Sequence, residues 1–363
     1  MSLRPSWFYR RPVAGLLLVA LGLQPSASAT SALPHAGGLP QANAAPQRGI
    51  TAATLVARSY DAILDANFEQ ATELRAGTCP PAPSVACLGL EALNLWWQIQ
   101  IDPESRALDQ PFLSATDGAI AEAVRFTKAE PHRAEAWFYL GAAYGVRAQW
   151  RVLRGERLKA ARDGKQIKAS LERALALDPT MHDAEFGVGM YRYYAAVAPA
   201  VLRWLRWLLL LPGGNRVEGL QQMERAATMS HLVRGEAAYQ VHLIYLWYES
   251  KWREALSLVL DHQTRYPHNP HFRQVEAEIL DRYFHDPAAS LGASERLLAL
   301  AQTNAVHMAD LASVVARLNM ARQLLALGRR KEASDQLDAI IALAPSRPAG
   351  AFARAQRMKR ELK

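Results

Sequence analysis

The sequence predicts an all-α fold, a solenoid of stacked helical hairpins, and three observations carry that reading. From Tyr60 to Leu362 the apolar residues recur with helical rather than alternating period, and runs of β-branched residues are scarce. Two separate segments place a proline twelve residues after an alanine, Ala255 to Pro267 and Ala333 to Pro345, which is the mark of an internal repeat. Half of the 363 residues are hydrophobic, enough to bury a core along the whole array.

Taken in chain order, Arg4, Arg10 and Arg11 precede an apolar run from Val13 to Leu23. Pro25 breaks that run, and Ala27-Ser28-Ala29 offers the small residues that a signal peptidase site requires. Residues 1–29 are therefore expected to be a cleaved secretory signal peptide, because eleven apolar residues rise only about 16 Å, roughly half a bilayer core. No Cys follows the run closely, which argues against lipid attachment. Residues 30–48 are rich in Ala, Pro and Gly without a period and are expected to be a disordered leader. Residues 49–363 are expected to form one continuous domain, exported to the periplasm.

The formal charge is +8, from 42 basic and 34 acidic residues; without Arg4, Arg10 and Arg11 it becomes +5. That balance is mildly basic and does not point to nucleic acid. Cys79 and Cys87 flank a proline-rich loop, CPPAPSVAC, and in an exported chain they are expected to form a local disulfide. The spacing is neither C-x-x-C nor C-x-x-C-H, so redox catalysis and covalent haem attachment lack support.

One segment carries a fuller pattern: Ala136-Trp137-x-x-Leu140-Gly141-x-x-Tyr144, entered from Pro131 and followed by Leu171-x-x-Ala174-x-x-x-x-Pro179. It resembles the tetratricopeptide repeat, TPR, in which a glycine lets two helices approach, an alanine sits where the next helix crosses, and a proline stops the second helix. Shorter versions stand at Tyr239 with Trp252-x-x-Ala255, and at Gly328 with Ala333 and Leu337. Traces remain at Phe68-x-x-Ala71 and at Ala184, Gly189, Met223 and Ala226. The resemblance, which covers roughly residues 50–360, implies a right-handed α-solenoid of TPR-like hairpins. The interval from Tyr144 to Ala174 is about 14 residues longer than in a standard unit, close to 3.9 helical turns. Long helices are therefore expected at about 134–153 and 156–177, turning near Gly155. Pro199 and Pro212-Gly213-Gly214 bracket a further inserted helix, Ala200 to Leu211.

The resemblance also implies a concave face on the first helix of each hairpin. Carried onto this chain, that face includes Phe138, Ala142, Phe186, Met190, Tyr193, Tyr194, Gln240, Ile244, Trp247 and Tyr248. Aromatic anchors of this kind bury a large area at low entropic cost, so a bound protein segment is the expected partner, the alternative being burial inside the superhelix. A second candidate is the basic stretch 151–168, with Arg151, Arg154, Arg157, Lys159, Arg162, Lys165 and Lys168 against Glu156 and Asp163. It offers either a surface for anionic groups or a solvated helix face. The third is the 200–211 helix, whose polar strip is Arg203 and Arg206 beside Trp204 and Trp207. It suits packing or a membrane interface, and with the basic stretch it supplies the alternative reading, a peripheral membrane protein.

Chemistry has little support. The chain contains no H-E-x-x-H, G-x-S-x-G or G-x-x-x-x-G-K-[ST], and no cofactor, metal or catalytic residue is expected. His268-Asn269-Pro270-His271 has two imidazoles but reads as a loop between repeats, since Pro270 enforces an extended turn. The leading expectation is an exported, non-enzymatic TPR scaffold.

Overall fold

A computed structural model describes residues 49–197 and 214–362. Among them are fifteen α-helices and no strand: α1 (Ala53–Leu64), α2 (Phe68–Ala76), α3 (Ser84–Ile101), α4 (Asp109–Ala129), α5 (Ala134–Leu153), α6 (Arg157–Leu177), α7 (His182–Val197), α8 (Arg216–Met229), α9 (Arg234–Ile244), α10 (Trp252–Arg265), α11 (Pro270–Arg282), α12 (Pro287–Gln302), α13 (Ala309–Ala326), α14 (Arg330–Leu343) and α15 (Ala351–Glu361). A π-helical turn, Tyr245–Glu249, extends α9. The segments expected to be a signal peptide (1–29), a leader (30–48) and an inserted helix (200–211) lie outside the described residues. The expected disulfide joins Cys79 to Cys87 in the loop between α2 and α3.

Each helix packs on its chain neighbours. Odd-numbered helices also touch across hairpins in two runs, α1 with α3, α3 with α5 and α5 with α7, and then α11 with α13 and α13 with α15. The lengthened hairpin expected from the sequence is α5 and α6, with Gly155 at φ +79° in its turn. Three glycines set close helix approaches. A Cβ on Gly141 would lie 2.5 Å from Leu171 Cδ2, so α5 and α6 meet there as the repeat pattern requires. Gly189 and Gly219 face one another between α7 and α8, where a Cβ on Gly219 would lie 2.6 Å from Tyr193 N and 2.7 Å from Gly189 O. Leu171 has a flexible side chain that can give way, whereas the Gly219 contacts are backbone. We therefore expect Gly219→Ala to lower the urea unfolding free energy by about 1–3 kcal/mol through overpacking, despite the helix-propensity gain of about 1 kcal/mol. Gly141→Ala should lower it less.

The alanines of the repeat pattern, Ala174, Ala226, Ala255 and Ala333, are all fully buried. Pro179, Pro267 and Pro345 follow the ends of α6, α10 and α14. One regularity escaped sequence reading. In the turns of α1/α2, α5/α6, α9/α10, α11/α12 and α13/α14 a left-handed residue stands two positions before the second helix: Ala66, Gly155, Ser250, His285 and Gly328, with φ between +52° and +79°. Only two of the five are glycine, so a search for glycine finds less than half of the set.

Helix α1, with the described residues on either side of it, is a strap across the entrances of later hairpins. Gly49 N donates to Asp178 Oδ2 (3.1 Å) and Thr51 N to Glu135 Oε1 (2.9 Å). Further along, Tyr266 donates to Asp61 (3.0 Å), Asn269 Nδ2 to Leu64 O (2.7 Å) and His268 N to Asp65 (3.0 Å). Phe68 then meets the His307 ring edge-on at 4.7 Å. Residues 49–68 thus tie together loops that lie up to 240 positions away, and α3 follows them inward to reach α11.

Candidate functional site: an apolar cavity and its aromatic flank

An apolar cavity of about 110 Å³ opens among α1, α3, α5 and α7, with the start of α9 at one end. Its lining brings together part of the face expected from the repeat pattern: Phe138 and Ala142 on α5, Phe186 and Met190 on α7. Phe138 is buried and its ring lies 5.4 Å from that of Tyr139, while Phe186 is half-buried. Val85, Gly89 and Leu90 on α3 supply the facing wall.

The rest of the expected face divides in two. Tyr193, Tyr194 and Tyr248 form an edge-to-face triad with centroids 5.7–5.9 Å apart. Tyr193 is fully buried and its hydroxyl donates to Glu249, which Arg216 also holds at 2.8 Å; Tyr194, Trp247 and Tyr248 are half-buried. Burial pushes the Tyr193 and Tyr194 hydroxyls well above the usual phenol range, so both stay protonated donors. Gln240 is buried: its Nε2 donates to Gln149 Oε1 (3.2 Å) and to Glu236 Oε1 (3.1 Å), and Tyr60 donates to Glu236 Oε2 (3.3 Å). Burial raises the Glu236 carboxyl above the ordinary range against the opposing effect of these hydrogen bonds. Glu236, Tyr60 and Gln149 were not legible as a group, because they come from α9, α1 and α5 and each is locally unremarkable.

Beside this cluster lies a second buried polar set. Tyr239 is surrounded by the rings of Trp97 (5.4 Å), His242 (4.8 Å) and His271 (5.6 Å), with its hydroxyl 2.9 Å from His271 Nε2. Burial first, and then neighbouring His262, holds His271 down to about 3 and His242 well below the usual imidazole range. His268 pairs with Asp65 at 2.7 Å, and Asn269 caps α11 by accepting from His271 N (3.0 Å), so His268 and Asn269 lie in the loop between hairpins, whereas Pro270 and His271, expected in an extended turn, open the first turn of α11, where proline suits the first helical position. Among the described residues no cluster of three or more His, Cys, Asp or Glu side chains has the arrangement of a metal site.

The basic stretch divides: Arg151 and Arg154 turn inward, and Lys159 stays exposed beside Glu156. Arg151 Nη1 pairs with Asp163 at 2.6 Å, together with Arg147 from the same helix at 2.9 Å. Arg154 is buried against Asp109 (2.7 Å) and donates to the carbonyls of Pro103 and Ser105. These two residues therefore anchor the α5/α6 hairpin and the α3–α4 loop instead of facing a partner. Arg157, Arg162 and Lys165 remain exposed on α6, with Leu158 52% exposed among them. Arg203, Trp204, Arg206 and Trp207 lie outside the described residues. Among the described residues no helix is long and apolar enough to cross a membrane.

Comparison of the chain with protein-family models and with curated proteins finds no match.

Proposed function

We propose that this chain is an exported TPR-like scaffold, a right-handed α-solenoid that binds a protein segment on the aromatic flank formed by Phe186, Tyr194, Trp247 and Tyr248. The observation that supports the reading is the left-handed turn residue two positions before the second helix in five hairpins, a shared turn geometry that units stacked in series would have. Solenoids of that kind present extended surfaces, and half-buried aromatics that are already ordered lose little entropy on binding. Tyr193, Phe138 and Gln240 support the flank from within, since they are buried.

The test is crosslinking pull-down from the native envelope, with captured proteins identified by mass spectrometry. Tyr194→Ala/Trp247→Ala/Tyr248→Ala is expected to lose, by tenfold or more, a protein that wild type captures, at unchanged helical circular dichroism. Equal capture by the folded variant rejects the flank as the binding surface.

A second reading rests on Arg157, Leu158, Arg162 and Lys165, an exposed cationic face with an apolar residue in its middle, which suits an anionic membrane surface. Co-sedimentation with anionic vesicles that falls as salt rises supports it; absence from vesicles at low salt rejects it.

A further inference from the structure

We propose that the N-terminal ends of α5, α7, α9 and α11 form a groove for an amphipathic helix, and that α1 is its intramolecular occupant, which a partner helix of the same pattern displaces. From Thr51 onward the contacts of this segment follow the order of the hairpins. Thr51 reaches Glu135 on α5 and Tyr60 reaches Glu236 on α9; Asp61 and Asp65 then meet Tyr266 and His268 ahead of α11, and Phe68 meets His307 ahead of α13. Helix α1 therefore lies lengthwise along the array, as a helix bound in a groove does.

Its side chains divide as a docked helix requires. Val56, Tyr60, Ile63 and Leu64 stand at i, i+4, i+7 and i+8 and are all buried. Asp61 and Asp65, at i+5 and i+9, pair with the rim through Tyr266 (3.0 Å) and His268 (2.7 Å). The receiving surface is shaped to this pattern at Gly235, where a Cβ would come within 2.5 Å of Leu64 Cδ1. A partner is thus expected to carry four apolar residues at that spacing and two acids beside them.

Two further observations separate α1 from an ordinary core helix. The apolar cavity of about 110 Å³ lies between Val56 and Tyr60 of α1 and Phe138, Ala142, Phe186 and Met190 of α5 and α7. That is room for a few methylene groups, so α1 fits its seat without filling it and forgoes the contacts of a close-packed interior. At its start, Ala52 is left-handed and supplies no side-chain cap, which leaves the first turn dependent on Glu135 and Asp178. A helix that fills the cavity better outcompetes one seated in this way.

The experiment titrates the full chain with a fluorescein-labelled peptide of residues 49–68, GITAATLVARSYDAILDANF, read by anisotropy. Thr51→Ala/Asp61→Ala/Asp65→Ala removes polar ties of the strap but leaves the groove intact, and the peptide restores the missing groups in trans. This variant is expected to bind one peptide per chain at least tenfold more tightly than wild type, at unchanged helical circular dichroism, because its groove is open for a larger fraction of the time. A Val56→Leu peptide, whose extra methylene enters the cavity, should bind about fourfold more tightly, and a Tyr60→Ala/Ile63→Ala peptide at least tenfold more weakly. Hydrogen exchange of the unaltered chain gives a second readout that needs no variant: α1 amides should exchange at least tenfold faster than those of α5, through an opening smaller than global unfolding. No saturable binding by the folded variant, or α1 amides as protected as those of α5, overturns the proposal. Adding Tyr194→Ala/Trp247→Ala/Tyr248→Ala to the strap variant should leave peptide binding unchanged. A loss there would place the peptide on the aromatic flank and overturn the inner groove, so the scaffold reading stands or falls separately.

Discussion

Asp163→Ala is expected to lower the unfolding free energy by about 3–5 kcal/mol, the range for removing one partner of a buried ion pair. The Asp163 side chain is 3% exposed and accepts from Arg147 Nε (3.1 Å) and Nη2 (2.9 Å), while Arg151 Nη1 lies 2.6 Å away. Without the carboxylate, two guanidinium groups on successive turns of α5, both mostly shielded from water, are left side by side with no shared partner from α6. Asp117 still meets Arg147 at 2.6 Å but is 64% exposed, so water weakens its hold. Asp163→Asn keeps the shape and loses the charge, and it should cost nearly as much. Asp163→Leu combined with Arg151→Leu removes a carboxylate and a cation together and should recover part of the loss. Urea denaturation reads all three, and a loss below about 1 kcal/mol for Asp163→Ala would show that the network behaves as a solvated surface pair.

The second large effect is on pH. Burial keeps His242 and His271 neutral in the fold far below 6.5, whereas in the unfolded chain both take up a proton near that value. Below pH 6.5 the unfolded state therefore binds more protons, and stability falls as the pH falls. Each such histidine contributes a slope that reaches about 1.4 kcal/mol per pH unit once its unfolded form is fully protonated, so acidification from pH 6.5 to pH 5 should remove about 3 kcal/mol for the pair. His262 is pushed in the same direction by burial and steepens the slope. Glu236 acts on the other side. Its carboxyl is raised in the fold, so the unfolded chain releases that proton first, and stability falls as the pH rises from the ordinary carboxylate range through the folded value. Glu236→Gln should consequently be more stable than wild type at pH 7, and His242→Leu should flatten the acid slope by one proton. Unfolding midpoints measured from pH 4.5 to pH 8 check both signs. A flat profile, or a Glu236→Gln variant weaker than wild type at pH 7, contradicts the burial assignment.

What nearby residues encode was readable from the sequence. The α5/α6 hairpin falls within a residue of its expected bounds, with Gly155 in its turn, because helix period, glycine and proline act over a few positions. The same holds for the buried alanines at helix crossings and for the short-range Cys79–Cys87 disulfide. Ser250 and His285 in left-handed turns were not readable, since tertiary packing holds them where glycine would be the local choice.

Only the tertiary structure decided which residues become neighbours over long distances. The helical period gives each helix an apolar side but does not say which helix covers it, because that depends on small rotations accumulated from hairpin to hairpin. The α1 strap, the gathering of Tyr60, Gln149 and Glu236, and the cavity between α3, α5 and α7 all arise this way. So does the fate of Arg154: its charge was plain in the sequence, but Asp109, which turns that charge inward, stands 45 residues away on another helix.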